Sequence, residues 1–514
     1  MEYTFLSIIP PIIIITLVII TRKIVLSLGT GIVISALILE NGHIGEALQT
    51  MLKAIVHLFY SDGEWSSGNL YVLSFLLLLG ALTGLITVLG GNKAFGEKIG
   101  RRVRTKRGAQ LMTATCGVTL FPDDVFNMFV TSQINGPVMD HAKVPRTKLA
   151  YIIHSTSDPT CVMFPLSSWG AYIIAILSTI FATQHINQNP LMAFLIIATT
   201  NFYAISTLLC VFTSATFDIN IGKMKNPITP IHQVNVDSNK VVGTIWDLII
   251  PVGALIVVAI STMMYTGYQN SETPTIMSIF TNSSVSLSLV TGAAVATLIS
   301  LLLYTRQVSQ KKQSFKDLGV ILKKGMKTTI PAVEILLYAW LLSDFIGQLG
   351  TGEYLAHFME VITLPTSFLP FILFILTGAM AFATGTSWGT FAIMLPIAAQ
   401  ISLASDPSIM FFLMSAVLSG SLFGDHCSPV SDTTTVASAA AGCKQMEHVV
   451  TQLPYALTCA SITAVSFLLL GFSGTRWLPY IFIIAMIVLF AIYFKRQAIQ
   501  ETVMKEDIPS PIAD

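Results

Sequence analysis

The chain is 514 residues long, 53% hydrophobic and only 11% charged, with a formal net charge of +1. Soluble domains average about 25% charged residues, so a set of soluble domains is excluded, and the balanced charge gives no sign of a nucleic-acid partner. With a mean hydropathy of +0.72 and recurring apolar runs of about 17–25 residues, this is an all-α polytopic membrane protein, not an alternating-pattern β-barrel.

Apolar runs predict spans near 5–20, 24–39, 69–90, 148–178, 190–214, 245–267, 283–304, 328–348, 408–440, 450–470 and 478–494. That is about 11 spans. The start, Met1-Glu2-Tyr3-Thr4, lacks the basic region of a secretory leader. The six cysteines lie in or beside apolar runs without paired spacing, which reads as buried free thiols. Gly80 and Gly84 stand four apart in one span and read as a helix-packing contact.

Two further apolar segments, 109–140 and 365–404, do not fit as simple spans. The first lies between basic stretches: Lys93, Lys98, Arg101, Arg102, Arg104, Lys106 and Arg107 before it, Lys143, Arg146 and Lys148 after it. Positive loops stay cytoplasmic, so the segment enters from the cytoplasm and returns as a re-entrant hairpin. The second is preceded by Glu353, His357 and Glu360 and followed by Asp406, with no Lys or Arg from 328 to 443, so it dips from outside. This topology puts the N-terminus outside and the C-terminus in the cytoplasm. It leaves only Lys53 and Arg476 of the 28 basic residues on the external side.

An inverted-topology repeat with broken helices follows. Residues 1–214 form the first transmembrane repeat, with hairpin 109–140 and broken span 148–178; 215–244 form a cytoplasmic connector. Residues 245–494 form the second repeat, with hairpin 365–404 and broken span 408–440, and 495–514 a cytoplasmic tail. Ser157-Asp158-Pro159-Thr160 aligns with Ser431-Asp432-Thr433-Thr434, an offset of 274. The amphipathic stretch 44–57 with its following span pairs with 315–327 and the span after it. Broken helices of two inverted repeats, meeting at mid-membrane, are a plan of secondary transporters.

Ionisable groups within a membrane are costly and mark function. The first hairpin turns at Pro122-Asp123-Asp124, followed by Asn127. Adjacent carboxylates there suit a cation, the plainer reading being that one of them caps the second arm. The second turns at Gly385-Thr386-Ser387-Trp388-Gly389, where hydroxyls and carbonyls offer hard ligands to Na+; the plainer reading is a tight turn with an interfacial Trp. Ser167-Ser168-Trp169-Gly170 echoes that motif and reads as packing.

The densest polar stretch, Gly424-Asp425-His426-Cys427-Ser428-Pro429-Val430-Ser431-Asp432-Thr433-Thr434, interrupts the span 408–440. Ser157, Asp158 and Thr160 do the same in 148–178. A carboxylate at such a break holds either H+ or Na+, because burial disfavours its charge and a bound cation restores it. Asp124, Asp158 and Asp432 are the proposed Na+ ligands, with Asp123, Asn127, Ser157, Thr160, Ser387, Asp425, His426, Ser428, Ser431 and Thr433 completing a cation and proton site. His154 and His426 are candidate proton carriers, His154 reading more simply as structural. Glu334 is a further acid within a span. With no Lys or Arg in span interiors, buried acids favour a cationic cargo. Asp425-His426-Cys427 does not read as a zinc centre, since consecutive residues point different ways and no HExxH or CxxC pair accompanies them. No catalytic set appears, so the chain is read as no enzyme. A channel fits less well than alternating access.

Phe423-Gly424-Asp425-His426-Cys427-Ser428-Pro429-Val430-Ser431-Asp432-Thr433-Thr434 resembles the NhaC family of Na+/H+ antiporters, within the ion-transporter superfamily. The likeness extends to His448-Val449-Val450-Thr451-Gln452-Leu453-Pro454-Tyr455-Ala456, Asp123-Asp124-x-Phe126-Asn127, Lys148-Leu149-Ala150-Tyr151 and Ser167-Ser168-Trp169-Gly170-Ala171-Tyr172. His154 departs from it, standing where an acid is common. The resemblance implies a secondary antiporter in a bacterial inner membrane, exchanging Na+ (or Li+ or K+) for H+ without a prosthetic group. Relatives that exchange malate for lactate or move amino acids leave small carboxylates and amino acids as the alternative cargo. The expected partners are Na+, H+ and the bilayer, with a homodimer left open.

Overall fold

A computed structural model describes residues 5–21, 23–61, 63–91, 94, 103, 105–225, 243–275, 278–279, 282–350, 354, 365–429 and 431–506. Much of the basic stretch 91–108, most of the connector, Arg22, Glu353, His357, Glu360, Val430 and the end of the tail lie outside the described residues. The chain is helical almost throughout, as a bilayer demands, because lipid offers no partner to an unpaired backbone group.

The first half comprises α1 (Ile9–Thr21), α2 (Ile24–Leu39), α3 (Ile44–Phe59), α4 (Ser67–Leu89), α5 (Lys106–Thr119), α6 (Asp124–His141), α7 (Arg146–Met163), α8 (Ser168–Thr183), α9 (Pro190–Thr199) and α10 (Phe202–Phe217). A two-residue antiparallel ladder, β1 (Tyr60–Ser61) with β2 (Glu64–Trp65), joins α3 to α4. The second half comprises α11 (Trp246–Gln269), α12 (Val285–Ser309), α13 (Phe315–Gln348), α14 (Leu369–Thr384), α15 (Ser387–Ser405), α16 (Met410–Cys427), α17 (Asp432–Ala441), α18 (Gln445–Ser473) and α19 (Trp477–Glu506).

Among the described residues, eleven helical segments are long and apolar enough to cross a membrane. They are not the eleven expected. Both arms of the second hairpin are among them, whereas Phe5–Leu17, Ile24–Leu39 and Pro190–Thr199 are shorter. Arg146–Thr183, interrupted between α7 and α8, is 83% buried inside the protein, against 28% for Trp246–Gln269 and 22% for Trp477–Gln497. The interrupted helix is therefore central and those two face outward.

Two spans differ from expectation in their extent. The run 190–214 is divided, because Asn201 ends α9 and caps α10, its side chain accepting from the Ala204 amide. The amphipathic stretch 315–327 and its span are one helix, α13, about 50 Å long at 1.5 Å per residue. Glu334 on it is exposed to the protein's surroundings, not buried. The close approach expected at Gly80 exists: a Cβ there would stand 2.6 Å from the Gly325 carbonyl of α13.

Both hairpins form, and each turn bonds to the broken span of its own half. The Ser168 amide, at the start of α8, donates to the Pro122 carbonyl at 2.8 Å. In the second half the Asp432 amide reaches the Gly385 carbonyl at 3.4 Å, and Ser428 Oγ donates to the Phe382 carbonyl at 2.7 Å. A turn held against the middle of a spanning helix ends at mid-depth, which is the re-entrant geometry. The order hairpin, then broken span, thus occurs twice. The register differs from expectation, however: Ser157–Thr160 lie inside α7, with the break after them at 164–167. The equivalent half-helix starts are Ser168 and Asp432, an offset of 264 instead of 274.

Candidate functional site

Four helix N-termini converge where turns and breaks meet: α6 at Asp124, α8 at Ser168, α15 at Ser387 and α17 at Asp432. Ser167 caps α8 by accepting from the Gly170 amide at 2.9 Å, and Ser431 caps α17 by accepting from the Thr434 amide at 3.1 Å. Each N-terminus carries unpaired amides and a partial positive charge. The Trp169 and Trp388 rings meet edge to face at 5.5 Å, and Tyr172 Oη donates to the Trp388 carbonyl at 2.9 Å. Trp388 is thus an internal packing residue, not an interfacial one.

The first-half carboxylates take separate roles. Asp123 caps α6, accepting from the Phe126 amide at 3.0 Å and from Ser168 Oγ at 3.1 Å. Its two oxygens thus serve as the helix cap that the plainer reading expected. Asn127 braces the hairpin, its Nδ2 donating to the Gly117 carbonyl at 2.6 Å while its Oδ1 accepts from Thr131 at 3.0 Å. Asp124 is buried, and its carbonyl accepts from Ser157 Oγ at 2.9 Å. Thr160 is buried with its hydroxyl unpartnered.

Asp158 is fully buried, and no hydroxyl, amide or backbone group among the described residues donates to its carboxylate. Its nearest polar neighbours are His154 Nε2 at 3.2 Å, one turn back on α7, and His426 Nε2 at 3.7 Å, on α16 of the other half. Both imidazoles are held from behind. His426 Nδ1 meets Tyr203 Oη at 3.1 Å; His154 Nδ1 meets His448 Nε2 at 3.1 Å and Gln452 Nε2 at 3.0 Å.

Asp425, equally buried, is the opposite case. Ser387 Oγ donates to Oδ2 at 2.8 Å, Thr433 Oγ1 to Oδ1 at 3.1 Å, and Ser431 Oγ also to Oδ1. Ser387 comes from the second hairpin and the other two from the break, so this carboxylate ties hairpin to broken helix. Thr433 Oγ1 also lies 3.0 Å from His154 Nε2, linking the two carboxylate centres. The α16 helix sits close enough for this because Gly424 has no side chain: a Cβ there would stand 2.6 Å from the Phe382 amide.

The three expected Na+ ligands are not gathered. Among the described residues, the clustered ligand atoms are those of His154, Asp158 and His426, all within 4.8 Å of one another; Asp124 and Asp432 are not among them. Asp432 is exposed, and its side chain receives only the adjacent Thr433 amide, at 2.9 Å. Ser428 is committed to the Phe382 carbonyl.

Buried bases also exist, contrary to expectation. Lys148 is fully buried, donating to the Ile219 carbonyl at 2.8 Å and to Tyr455 Oη at 3.3 Å, with the Tyr151 and Tyr455 rings 5.1 and 4.9 Å away. Arg146 pairs with Asp140 and donates to the Ala441 carbonyl. Chain following α10 folds over the start of α7 and covers what reads as a loop in one dimension. Neither base touches the carboxylate cluster. All six cysteines are free.

His448, Gln452 and Tyr203 belong to the site and are missing from the sequence-based set. His448 and Gln452 are one turn apart on α18, a spacing that puts both on one face, but the expected span began at 450. Tyr203 is one hydroxyl in an apolar run and carries no such signal.

The profile of the Na+/H+ antiporter family matches residues 160–472. An uncharacterised protein of Haemophilus influenzae is 41% identical over 478 residues, 91% of each chain. The malate-2H(+)/Na(+)-lactate antiporter of Bacillus subtilis is 33% identical over 160 residues, 31% of this chain and 34% of that one. An uncharacterised Na(+)/H(+) antiporter of Haemophilus influenzae is 30% identical over 164 residues, 31% of this chain and 35% of that one. Among solved structures, the YdaH transporter of Alcanivorax borkumensis superposes with a TM-score of 0.53 at 13% identity, over 84% of this chain and 90% of that one. MtrF of Neisseria gonorrhoeae gives 0.54 at 13% identity, over 84% of both chains. At that identity the likeness is one of fold.

Proposed function

Because this chain belongs to the Na+/H+ antiporter family, we propose that it is a secondary antiporter exchanging Na+ for H+ across a bacterial inner membrane. Its N-terminus faces outside and its C-terminus the cytoplasm, with 1–214 and 245–494 as the inverted repeats. It carries out no covalent chemistry. The observation that supports this reading is Asp158: a fully buried carboxylate whose only close polar neighbours among the described residues are two imidazoles. Such a group is not stable as a bare anion in a low-dielectric interior and takes up a proton, a neighbouring positive charge or a cation. Exchange of one for another, coupled to movement of the halves, is antiport.

Asp158 is the exchanging carboxylate, with His154 and His426 as proton carriers. Asp425, Ser387, Ser431 and Thr433 form the frame that positions the break. Asp432 and Asp124 stand at helix starts beside this frame and act on ion entry.

A second reading has one observation in its favour. Four helix N-termini and three histidines surround the centre, an arrangement that attracts anions. A small carboxylate, such as malate or lactate, would then be the cargo, with Na+ or H+ coupled to it.

Proteoliposomes holding an imposed pH gradient separate the two. Na+ alone is expected to collapse the gradient. No response to Na+, Li+ or K+, with a response to malate or lactate, overturns the first reading in favour of the second.

A further inference from the structure

The geometry points to a transition-metal site at the boundary of the two halves, formed by His154 Nε2 and Asp158 Oδ2 of α7 with His426 Nε2 of α16. It stands independently of which cargo is exchanged. Zn2+ bonds to imidazole nitrogen and carboxylate oxygen at about 2.0–2.2 Å, so tetrahedral ligand atoms lie roughly 3.3–3.5 Å apart. Here Asp158 Oδ2 lies 3.2 Å from one histidine nitrogen and 3.7 Å from the other, and all three atoms fall within 4.8 Å. A swing of one imidazole by about 1 Å closes the set to bonding distance.

Three further features fit a metal. The Asp158 oxygens and His426 Nε2 are buried and, among the described residues, have no close polar neighbour outside this three-residue set. The far nitrogen of each imidazole has a partner that can accept its N–H, Tyr203 Oη for His426 Nδ1 and His448 Nε2 for His154 Nδ1, which is how metal-ligating histidines are oriented once the Gln452 amide turns from His154. His154 Nε2 also contacts Thr433 Oγ1, but that hydroxyl keeps Asp425 and Ser431 as partners when it turns away. Two nitrogens and one oxygen suit Zn2+, Co2+ or Ni2+ better than alkali ions, which take oxygen ligands. Three protein ligands leave a fourth position for water, as in open zinc sites. The ion would join α7 of the first half to α16 of the second and so hold the halves in one arrangement.

The full-length protein, purified in detergent and stripped with EDTA, is titrated with Co2+ and then Zn2+. One equivalent of Co2+ is expected to give tetrahedral d–d absorption that Zn2+ abolishes. Asp158→Asn and His426→Gln are expected to weaken binding by at least about 100-fold, with helical circular dichroism retained. Tyr203→Phe, which removes only an orienting hydroxyl, is expected to weaken it about 10-fold and to raise the Zn2+ concentration that halts exchange by the same factor. His57→Ala on the exposed side of α3 leaves binding unchanged. Absence of absorption in the unaltered protein, or absorption that survives both ligand substitutions, overturns the site. Exchange by a protein that binds no Co2+ refutes this inference alone, whereas Co2+ binding without any response to Na+ upholds the site and refutes Na+ exchange.

Discussion

The two buried carboxylates at the centre, Asp158 and Asp425, share depth and side-chain type but not circumstance. Asp425 accepts from three hydroxyls drawn from a hairpin and a helix break. Asp158 receives no hydroxyl and faces two imidazoles. A satisfied carboxylate holds structure together, and an unsatisfied one is free to change partners. On the proposed reading the halves divide the work: the second supplies a frame, the first the exchanging group.

Asp158→Asn tests this division most severely. Leaving charged groups buried without a partner costs about 3–5 kcal/mol, so exchange is expected to fall by roughly 100- to 1,000-fold with normal membrane expression, measured as Na+-driven pH collapse. Ser387→Ala removes one donor from Asp425, a charged-group hydrogen bond of about 1.5–3 kcal/mol. Its expected signature is lower thermal stability in detergent, with surviving protein still exchanging. Thr433→Val cuts the link between the centres; a lowered exchange rate is expected with a stability loss of about 1.5–3 kcal/mol, as for Ser387→Ala, because a hydrogen bond to the Asp425 carboxylate is lost along with the contact to His154. Asp123→Ala, the loss of a cap, should lower stability by about 1 kcal/mol and leave ion affinity unchanged. Asp432→Asn is expected to have the smallest effect, a few-fold change in apparent Na+ affinity, as fits an exposed carboxylate worth about 0–1 kcal/mol. Abolition of exchange by Asp432→Asn with Asp158→Asn near normal would reverse the comparison.

Much of the architecture was legible along the chain, for physical reasons. Apolar length reports spans, and the charge bias around 109–140 and 365–404 marked both hairpins, because lipid and the positive-inside rule act on local composition. The breaks were readable as polar clusters, although Ser155–Thr160 is helical and the interruption falls ten residues later than its alignment to Ser431–Thr434 implied. A polar cluster within a helix and one at a break look alike until neighbours show which backbone groups are released. The split at Asn201 was missed because a single amide in an apolar run carries little weight.

The site was legible as an inventory and not as an arrangement. Asp158, Asp425, His426, Ser387, Ser431 and Thr433 were all readable as polar residues where polarity is costly. Their grouping was not. Which acid is capped (Asp123), which is framed (Asp425), which faces imidazoles (Asp158) and which is exposed (Asp432) depends in part on groups far along the chain, such as Ser387 for Asp425 and His426 for Asp158. Lys148 shows the same limit, since its burial comes from Ile219 and Tyr455.

Composition and the order of apolar and charged residues determined that this chain is a multi-pass membrane protein and that a hairpin followed by an interrupted helix occurs in each half. Those properties follow from local solvation, which acts on each segment separately. Tertiary structure decided the partnerships: His154 and Asp158 of α7 brought to His426 of α16, with Tyr203, His448 and Gln452 behind them. Such groupings come from the packing of helices distant in sequence, and hydropathy and spacing hold no record of them.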